Sequence, residues 1–321
     1  MKKRKLGKSK LAVPVICLGT NVYGWTLSEA DSFRQLDAAV DVGLTFVDTA
    51  DAYSWWVPGN RGGESETILG KWFVKSDRRK DVILATKVGS LPGGGNNLRA
   101  THIAQAAEDS LRRLETDYID LYQAHFDDDK VPLEETLRAF DSLVSAGKVR
   151  YIGASNYSGA RLAETIEVSR SLGLAEYVSL QPHYNLVERH TFETDLLAVV
   201  EKYELGVLPY FSLAAGFLSG KYRSKEDAAT SERGSMVLKY LNDWGFGVAD
   251  VLEQVAHHHN ATPAQVALAW LIAQPGVTAP IASATSGKQL QDLVAATQLN
   301  LDAEAIETLN AVSTPQAFAN A

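Results

Sequence analysis

The chain has 321 residues, enough for two average domains or for one large α/β barrel. Hydrophobic residues make up 45% and charged residues 22%, as in ordinary globular proteins, and the net charge of −8 argues against a nucleic-acid partner. No apolar run reaches the roughly 18 residues that span a membrane, and Cys17, the single cysteine, is predicted to pack as a small hydrophobe. The N-terminal apolar segment is short and contains Pro14, which predicts no signal peptide and a cytoplasmic location.

Strand-like and helix-like patterns alternate along almost the whole chain. Residues 2–13 alternate in character around a Gly-Lys-Ser turn and predict a β-hairpin. The predicted strands are residues 15–19, 44–48, 82–87, 118–124, 149–153, 177–181, 207–210 and 277–282. The predicted helices are residues 28–42, 64–74, 101–114, 133–145, 159–172, 193–203, 262–273 and 288–297. The polar, glycine-containing residues 221–247 predict a long loop of the kind that covers binding sites.

This order of elements predicts an α/β fold built as a (β/α)8 TIM barrel. Regular βαβ alternation implies a parallel sheet with right-handed crossovers, and about eight units favour a closed barrel over an open doubly wound sheet. No GxGxxG pattern follows the first strand, which further weakens a dinucleotide-binding open sheet. The N-terminal hairpin is predicted to close the bottom of the barrel, and the lack of a linker predicts a single domain over residues 1–321.

Four side chains with proton-transfer chemistry lie at or just after the ends of predicted strands. Asp48, Lys87 and His125 each end one strand, and Tyr53 lies in the loop after Asp48. Because the active site of a TIM barrel lies at the carboxyl ends of its strands, we expect these four to meet. Each of them alone would be interpreted as a structural residue, whereas together they predict a catalytic site.

The chemistry of these groups predicts proton transfer to an oxygen atom. A free tyrosine has a pKa of about 10, and a nearby ammonium is expected to lower that pKa. Asp48 would hold Lys87 charged, and His125 would orient a substrate oxygen. A carbonyl that becomes an alcohol also needs a hydride on its carbon, which no side chain carries, so a cofactor is implied.

Six short strings that include or neighbour these residues resemble the aldo-keto reductase superfamily. The strings are Phe46-Val-Asp-Thr-Ala-Asp-Ala-Tyr53, Leu84-Ala-Thr-Lys87, Ser110-Leu-Arg-Arg-Leu114, Tyr118-Ile-Asp-Leu-Tyr-Gln-Ala-His125, Ile152-Gly-Ala-Ser-Asn156 and Gly216-Phe-Leu-Ser-Gly-Lys-Tyr222. The resemblance runs in the expected order from about residue 6 to about residue 311. It is specific for the superfamily and much less specific for a substrate. It implies a (β/α)8 barrel that reduces carbonyls with a nicotinamide cofactor.

The resemblance also implies roles for individual residues. Tyr53 would be the general acid and base, tuned by Lys87 and Asp48, with His125 orienting the carbonyl. The residues implied to bind the cofactor are Gly19, Thr20 and Asn21 beneath the nicotinamide, Ser155, Asn156 and Gln181 at its carboxamide, Tyr210 on its ring, and Phe211, Leu213, Gly216 and Lys221 along the pyrophosphate channel. Aromatic residues in the neighbouring loops predict an apolar or sugar-like substrate pocket, or else pack those loops together: Tyr23, Trp25, Trp55, Trp56 and Phe126.

Two departures from the pattern of the superfamily bear on the cofactor. Many members bind the 2′-phosphate of NADP with lysine or arginine after the last strand, where this chain has Ser283, Thr285 and Gln289, with Lys288 the only cation nearby. NADP(H) is favoured because it prevails in the superfamily, and NAD(H) is the competitor. Phe211-Ser212 replaces the common Ser-Pro, which is expected to alter the loop and to keep the stacking ring.

Two other functions remain open. Lys87 could act as the Schiff-base nucleophile of a barrel lyase, or the chain could be a nicotinamide-bound regulatory subunit with little turnover. No metal site is predicted, because the consecutive residues His257–His259 cannot face one point from a helix. The expected partner is a small carbonyl, alcohol or sugar, with no nucleic acid and no membrane, and with the chain a monomer or homo-oligomer.

Overall fold

The structure of the protein is a computed structural model that describes residues 1–314, so residues 315–321 of the predicted domain lie outside the described residues. The strands are β1 (Lys3–Lys5), β2 (Ala12–Pro14), β3 (Cys17–Gly19), β4 (Phe46–Asp48), β5 (Ile83–Val88), β6 (Ile119–Ala124), β7 (Val149–Ser155), β8 (Tyr177–Gln181), β9 (Gly206–Val207) and β10 (Ile281–Ala282). The helices are α1 (Glu29–Asp41), α2 (Glu64–Ser76), α3 (Ala100–Arg113), α4 (Leu133–Ser145), α5 (Gly159–Leu172), α6 (Leu197–Tyr203), α7 (Lys225–Ala229), α8 (Gly234–Val237), α9 (Asp243–His258), α10 (Pro263–Ala273), α11 (Gly287–Ala296) and α12 (Ala303–Val312).

Eight parallel strands form the barrel, in the order β10-β3-β4-β5-β6-β7-β8-β9. The ring closes between its two ends, because Val207 pairs with Val277 and accepts a hydrogen bond of 2.8 Å from the backbone of Thr278. The predicted (β/α)8 barrel is therefore confirmed. Since all eight strands are parallel, their carboxyl ends share one face of the molecule.

The N-terminal hairpin β1–β2 covers the opposite end of the barrel. Its two strands are antiparallel, and the Arg4 guanidinium donates hydrogen bonds to the carbonyl oxygens of Val277 and Ile272 at 2.6 and 2.8 Å. Gly7 occupies the turn with φ +51, where a Cβ would collide with the backbone of Val178. The hairpin closes the barrel as the alternating pattern predicted.

Helices pack around the barrel through apolar faces with helical spacing. In α4 these residues are Leu133, Leu137 and Phe140, each buried against the sheet, and each such side chain contributes roughly 1.5–3 kcal/mol when it leaves water. Ser28 caps α1, as expected, by accepting a hydrogen bond from the backbone of Asp31. None of the helices in residues 1–314 combines the length and apolar character needed to cross a bilayer.

The last two barrel strands are shorter than predicted. The predicted strand 207–210 is reduced to β9, and the predicted strand 277–282 is reduced to β10. Pro209 and Pro280 lie within these segments and have no backbone N–H to donate to a neighbouring strand, so regular pairing is interrupted there.

Residues 221–247 are not a simple loop. They contain α7, α8, a 3₁₀ turn at Leu238–Tyr240 and the first turn of α9, which Asn242 caps. Gly245 made that turn look irregular in the sequence, yet a Cβ there would collide with the carbonyl of Tyr240. The close approach of two turns, and not flexibility, accounts for this glycine. The sequence pattern also missed α12.

Candidate active site

Lys87 is the centre of the polar group at the carboxyl face of the barrel. It lies in β5 with its side chain fully buried, and its Nζ donates to Asp48 Oδ2 at 2.6 Å, to the Tyr53 hydroxyl at 2.7 Å and to the Thr49 carbonyl at 2.8 Å. These three acceptors match the three N–H donors of an ammonium group. Burial alone would lower the pKa of Lys87, but Asp48 and Tyr53 outweigh it and raise that pKa above its usual value.

Asp48 is fixed through both of its carboxylate oxygens. Oδ2 accepts from Lys87, while Oδ1 accepts from Gln181 Nε2 at 3.0 Å and from Gln123 Nε2 at 3.2 Å. A buried carboxylate with this many donors is held in one orientation. The sequence interpretation missed Gln123, although it lies two residues before His125 and so on the same face of β6, a spacing that could have revealed it.

Tyr53 lies in the loop after β4 with its ring over Lys87, whose Nζ is 4.5 Å from the ring centroid. Burial raises the pKa of Tyr53 to about 12, while the Lys87 ammonium acts in the opposite direction. Lys87 thus acts in the direction that the sequence predicted, but the pKa of Tyr53 stays above its free value because desolvation of the phenolate is the larger effect. Tyr53 is a protonated phenol at neutral pH.

His125 faces Tyr53 from the end of β6, with the two ring centroids 6.0 Å apart and the rings edge to face. Burial, and secondarily the Lys87 ammonium, hold the pKa of His125 well below its usual range, so the imidazole is neutral. Its Nδ1 is buried and finds no hydrogen-bond partner within residues 1–314. A neutral ring beside a phenol hydroxyl suits a group that orients an oxygen without exchanging its own proton.

The residues predicted at the nicotinamide form a connected network. Ser155 Oγ donates to the Gln181 carbonyl at 2.8 Å, and Asn156 Nδ2 donates to the His125 carbonyl at 2.9 Å. Asn156 Oδ1 accepts from the Tyr210 hydroxyl at 2.8 Å, so both ends of this amide are already bound within the protein. Gln181 differs, since its Oε1 accepts no hydrogen bond from the described residues.

The ring of Tyr210 is supported from behind by His183, which the sequence interpretation missed. The two rings are stacked with centroids 5.1 Å apart and 18° between planes, and Phe211 contacts both edge to face. Ser212, which replaces the proline of many relatives, donates to the carbonyls of Pro209 at 3.0 Å and Ile281 at 2.8 Å. These bonds hold the turn without a proline, next to the stacked rings of Tyr210 and His183.

The segment that follows has an unusual backbone. Phe211, Ala214, Ala215 and Gly216 all have φ between +48 and +101. A Cβ at Gly216 would lie 2.9 Å from Lys221 Cε, which shows how closely this lysine crosses the turn. Leu213 is partly buried and contacts the core on both sides. A strained turn with a cation over it is a common feature of sites that bind phosphate.

The predicted residues from the first and last barrel strands lie together. Ser283 Oγ donates to Asn21 Oδ1 at 2.7 Å, which joins the ends of β10 and β3. The Thr20 hydroxyl is buried and donates to the Asp48 carbonyl at 3.0 Å. A Cβ at Gly19 would lie 2.9 Å from Ile281 Cγ2, so this glycine permits close packing of the two strands.

Thr285 and Gln289 form a small exposed pair at the start of α11. Gln289 Oε1 accepts from the Thr285 backbone at 2.7 Å and from its hydroxyl at 3.1 Å. Lys288 is exposed, with Asp292 Oδ2 at 3.5 Å. Thr285, Lys288 and Gln289 thus lie together where the chain leaves β10 and enters α11, and they are far from Lys87 in the sequence.

The model of the Aldo/keto reductase family matches residues 15–314. The chain belongs to the aldo/keto reductase family.

Similar proteins share this family. An uncharacterized oxidoreductase, YrpG, of Bacillus subtilis (strain 168) is 37% identical to this aldo-keto reductase over 332 residues, with 98% of each chain covered. Protein tas of Escherichia coli (strain K12) is 31% identical over 339 residues, with 97% of each covered. A probable voltage-gated potassium channel subunit beta of Oryza sativa subsp. japonica is 31% identical over 299 residues, 90% of this chain and 89% of that protein. Membership of this family, together with the relative named as an oxidoreductase, supports oxidoreductase activity for this chain.

Aromatic side chains of this aldo-keto reductase surround Tyr53 at the barrel mouth. Trp56 contacts Tyr53 and Trp25 edge to face, with centroids 6.3 and 5.5 Å away, and Phe126 is stacked on His125 at 5.2 Å. Trp55, Trp56 and Phe126 are each more than a third exposed. Tyr23 is corrected to a core residue, because it is fully buried and its hydroxyl donates to Gln35 Oε1 at 2.8 Å.

Arg233 is a third functional candidate, after Gln123 and His183, that the sequence did not reveal. It precedes α8, and its guanidinium carbon lies 5.1 Å from the centroid of the Trp25 ring. Its Nη2 is buried and has no hydrogen-bond partner in the described part of the chain. Burial lowers the pKa of Arg233 from its usual value, yet a guanidinium stays charged in proteins, so this nitrogen lacks an acceptor that a ligand could supply.

Proposed function

We propose that this aldo-keto reductase uses a nicotinamide cofactor, NAD(P)(H), to reduce an aldehyde or ketone, or to oxidise the matching alcohol or sugar. The observation that carries the proposal is the position of Lys87 Nζ, 2.7 Å from the Tyr53 hydroxyl and 2.6 Å from Asp48. A phenol that gives up its proton here leaves its negative charge beside a fixed ammonium. A structural ion pair would not need a tyrosine hydroxyl at the mouth of the barrel.

The roles of the side chains follow from this arrangement. Tyr53 donates its proton to the carbonyl oxygen, and Lys87 stabilises the phenolate that remains. Asp48 keeps Lys87 charged and in place. Neutral His125 orients the carbonyl oxygen by a hydrogen bond. A reduced nicotinamide, when bound, supplies the hydride for the carbonyl carbon, and in the oxidation of an alcohol each transfer runs in reverse.

The residues around the site fit a dinucleotide. Gln181 Oε1 is a free acceptor for a carboxamide N–H. Tyr210, backed by His183, has a second ring face for the nicotinamide. The strained turn of residues 211–216 with Lys221, followed by Arg233, supplies two cations for phosphate groups.

For the choice between cofactors, NADP(H) is favoured and NAD(H) is the competitor. Thr285 and Gln289 are neutral and bonded to each other, and Lys288 has an acidic neighbour. Arg233, whose Nη2 lacks a partner in residues 1–314, is a further cation that supports a phosphorylated cofactor. Aromatic side chains at the mouth support a substrate with apolar or sugar-like faces. We further propose a cytoplasmic single-domain protein, monomeric or homo-oligomeric.

A second candidate is a nicotinamide-bound regulatory subunit with little turnover. It is supported by relatives named as voltage-gated potassium channel subunits beta, which are 30–31% identical to this chain. The complete set of Asp48, Tyr53, Lys87 and His125 favours the enzyme. The Schiff-base lyase is disfavoured, because partners raise the pKa of Lys87 and all three of its N–H donors are bound.

The test is a fluorescence titration of the protein with NADPH and NADH, followed by a panel of aldehydes, ketones and sugars. We expect tight binding of at least one reduced cofactor, a preference for NADPH and turnover of some carbonyls. Tight binding with negligible turnover across the panel would favour the regulatory subunit. Failure to bind either cofactor would refute the proposal.

A further inference from the structure

Two buried glutamines meet below the proposed nicotinamide site. Gln123 in β6 and Gln181 at the end of β8 come from strands separated by β7. Gln123 can cross this distance because its partner in β7 is Gly153, where a Cβ would lie 3.3 Å from Gln123 Cγ and would also collide with Ser179. The space left by that glycine is filled by the side chain of Gln123, which is fully buried.

The chemistry of Asp48 fixes the orientation of both amides. Its Oδ1 is only an acceptor, so the atoms at 3.0 and 3.2 Å must be the NH₂ groups of Gln181 and Gln123. Gln181 Nε2 has a second hydrogen, and Gln123 Oε1 accepts it at 3.2 Å. Both donors of Gln181 are thereby used inside the protein, which leaves its Oε1 as an acceptor without a donor in the described residues.

We propose that Gln123 is a positioning residue that sets the amide of Gln181, so that Gln181 presents an acceptor to the carboxamide NH₂ of the nicotinamide. Without Gln123, Asp48 alone would hold the Gln181 amide, by one hydrogen bond. The second bond prevents rotation that would present an NH₂ group to the cofactor. The proposal rests on the proposed function, since it requires a nicotinamide at this place. It assigns to Gln123 a role that packing alone does not explain.

The test compares the natural cofactor with its 3-acetylpyridine analogue, whose acetyl group has the carbonyl but lacks the NH₂ donor. Dissociation constants of both oxidised dinucleotides are measured by quenching of tryptophan fluorescence. In the wild type we expect the natural cofactor to bind about tenfold more tightly, since one hydrogen bond is at stake. Gln123→Met keeps the length of the side chain and removes its polar atoms, and it should reduce this ratio to near unity.

Two further variants separate positioning from packing. Gln123→Glu keeps an acceptor toward Gln181 Nε2 and should retain the discrimination, even where the added carboxylate beside Asp48 lowers turnover. Tyr122→Phe is the matched control on β6, because it removes one buried hydroxyl that has no partner in the described residues. It should leave the ratio unchanged. If Gln123→Met fails to fold, Gln123→Asn, whose shorter amide cannot hold the same contact, takes its place and should also lose the discrimination.

The outcomes are distinct. A wild type that binds neither dinucleotide refutes the proposed function and this inference with it. A wild type that discriminates, with a Gln123→Met variant that discriminates equally well, overturns the inference alone. Equal weakening of both cofactors in Gln123→Met would show a packing role only and would also overturn it.

Discussion

The floor and the rim of the candidate active site are built in opposite ways. The floor consists of Asp48, Lys87, Gln123 and Gln181, which are buried and joined by hydrogen bonds. The rim consists of Trp25, Trp56, Phe126 and Arg233, which are joined to the site by ring contacts and include a guanidinium nitrogen without a partner in the described residues. The fixed polar groups of the floor suit a single chemical reaction. The rim, whose side chains are held by ring contacts, suits the selection of the molecule that binds.

The largest expected effect comes from removing the charge at the centre of the floor. Lys87→Met should lower turnover by about 10³-fold, because the Tyr53 phenolate loses its neighbouring cation. It should also lower the free energy of unfolding by about 3–5 kcal/mol, since Asp48 becomes a buried charge without a cation. Steady-state kinetics and urea unfolding measure the two effects.

The double variant Asp48→Asn/Lys87→Met separates those effects. A neutral residue at position 48 removes the unpaired charge, so stability should recover while turnover stays low. The exposed Lys71→Met, whose ion pair with Glu29 lies outside the barrel face, is the control and should change neither quantity. Recovery of turnover in the double variant would contradict the role of Lys87 as the cation of the site.

The next largest effect is expected in the pH dependence of the rates of carbonyl reduction and alcohol oxidation. In the proposed mechanism, carbonyl reduction needs protonated Tyr53 and neutral His125. The pKa of Tyr53 is raised to about 12 and that of His125 is well below its usual range, so kcat/KM should be flat between about pH 6 and about pH 9. Alcohol oxidation needs the phenolate, and its rate should rise with pH across this range. A fall of the reduction rate on the acid side with a midpoint near pH 6.5 would show that His125 titrates in the working range and would refute its assignment as neutral.

At the rim, Arg233→Met should weaken the binding of NADPH by roughly tenfold and reduce its dependence on salt, because a cation proposed to contact the phosphates is lost. The kcat at saturating cofactor should stay near the wild-type value. The matched control is Arg223→Met in the same segment, whose guanidinium is already paired with Asp250 and Glu253. Equal losses of affinity in both variants would indicate a general effect of the segment and not a contact of Arg233.

The smallest effect should come from Trp56→Ala. Trp56 contacts Tyr53 only by its ring edge and is 38% exposed. The variant should raise KM for bulky aromatic carbonyls by a few-fold, with a smaller change for short aldehydes, since the lost contact is apolar surface. A large drop in kcat for all substrates would place Trp56 with the floor and not with the rim.

The difference between the floor and the rim also explains which site residues the sequence could predict. Asp48, Lys87 and His125 were predictable because regular strand patterns end at them, and the parallel barrel brings such ends together. Gln123 is one of two polar residues in β6, and its spacing of two residues from His125 places it on the same face without indicating its partners. Arg233 lies in a segment without clear periodicity, and its importance arises from contact with Trp25 more than two hundred residues earlier.

The pKa of Tyr53 could not be predicted from the sequence, for a physical reason. The sign of a pKa shift depends on the balance between desolvation and a neighbouring charge, and burial of the ring is a property of the folded chain. Pro209 and Pro280 could have indicated the shorter strands, because proline cannot donate within a sheet. The first turn of α9 was not predicted because it contains Gly245. In the sequence, a glycine that permits close packing cannot be distinguished from one in a loop.

The most direct test of the central claim is single-turnover reduction of an aldehyde by wild type and by Tyr53→Phe, each first loaded with NADPH. We expect both proteins to bind the cofactor with similar affinity, because the phenol hydroxyl is directed to Lys87. Hydride transfer should be at least about 10²-fold slower in Tyr53→Phe. Equal rates of hydride transfer in the two proteins would contradict the account, because the proton would then come from a group other than the Tyr53 phenol.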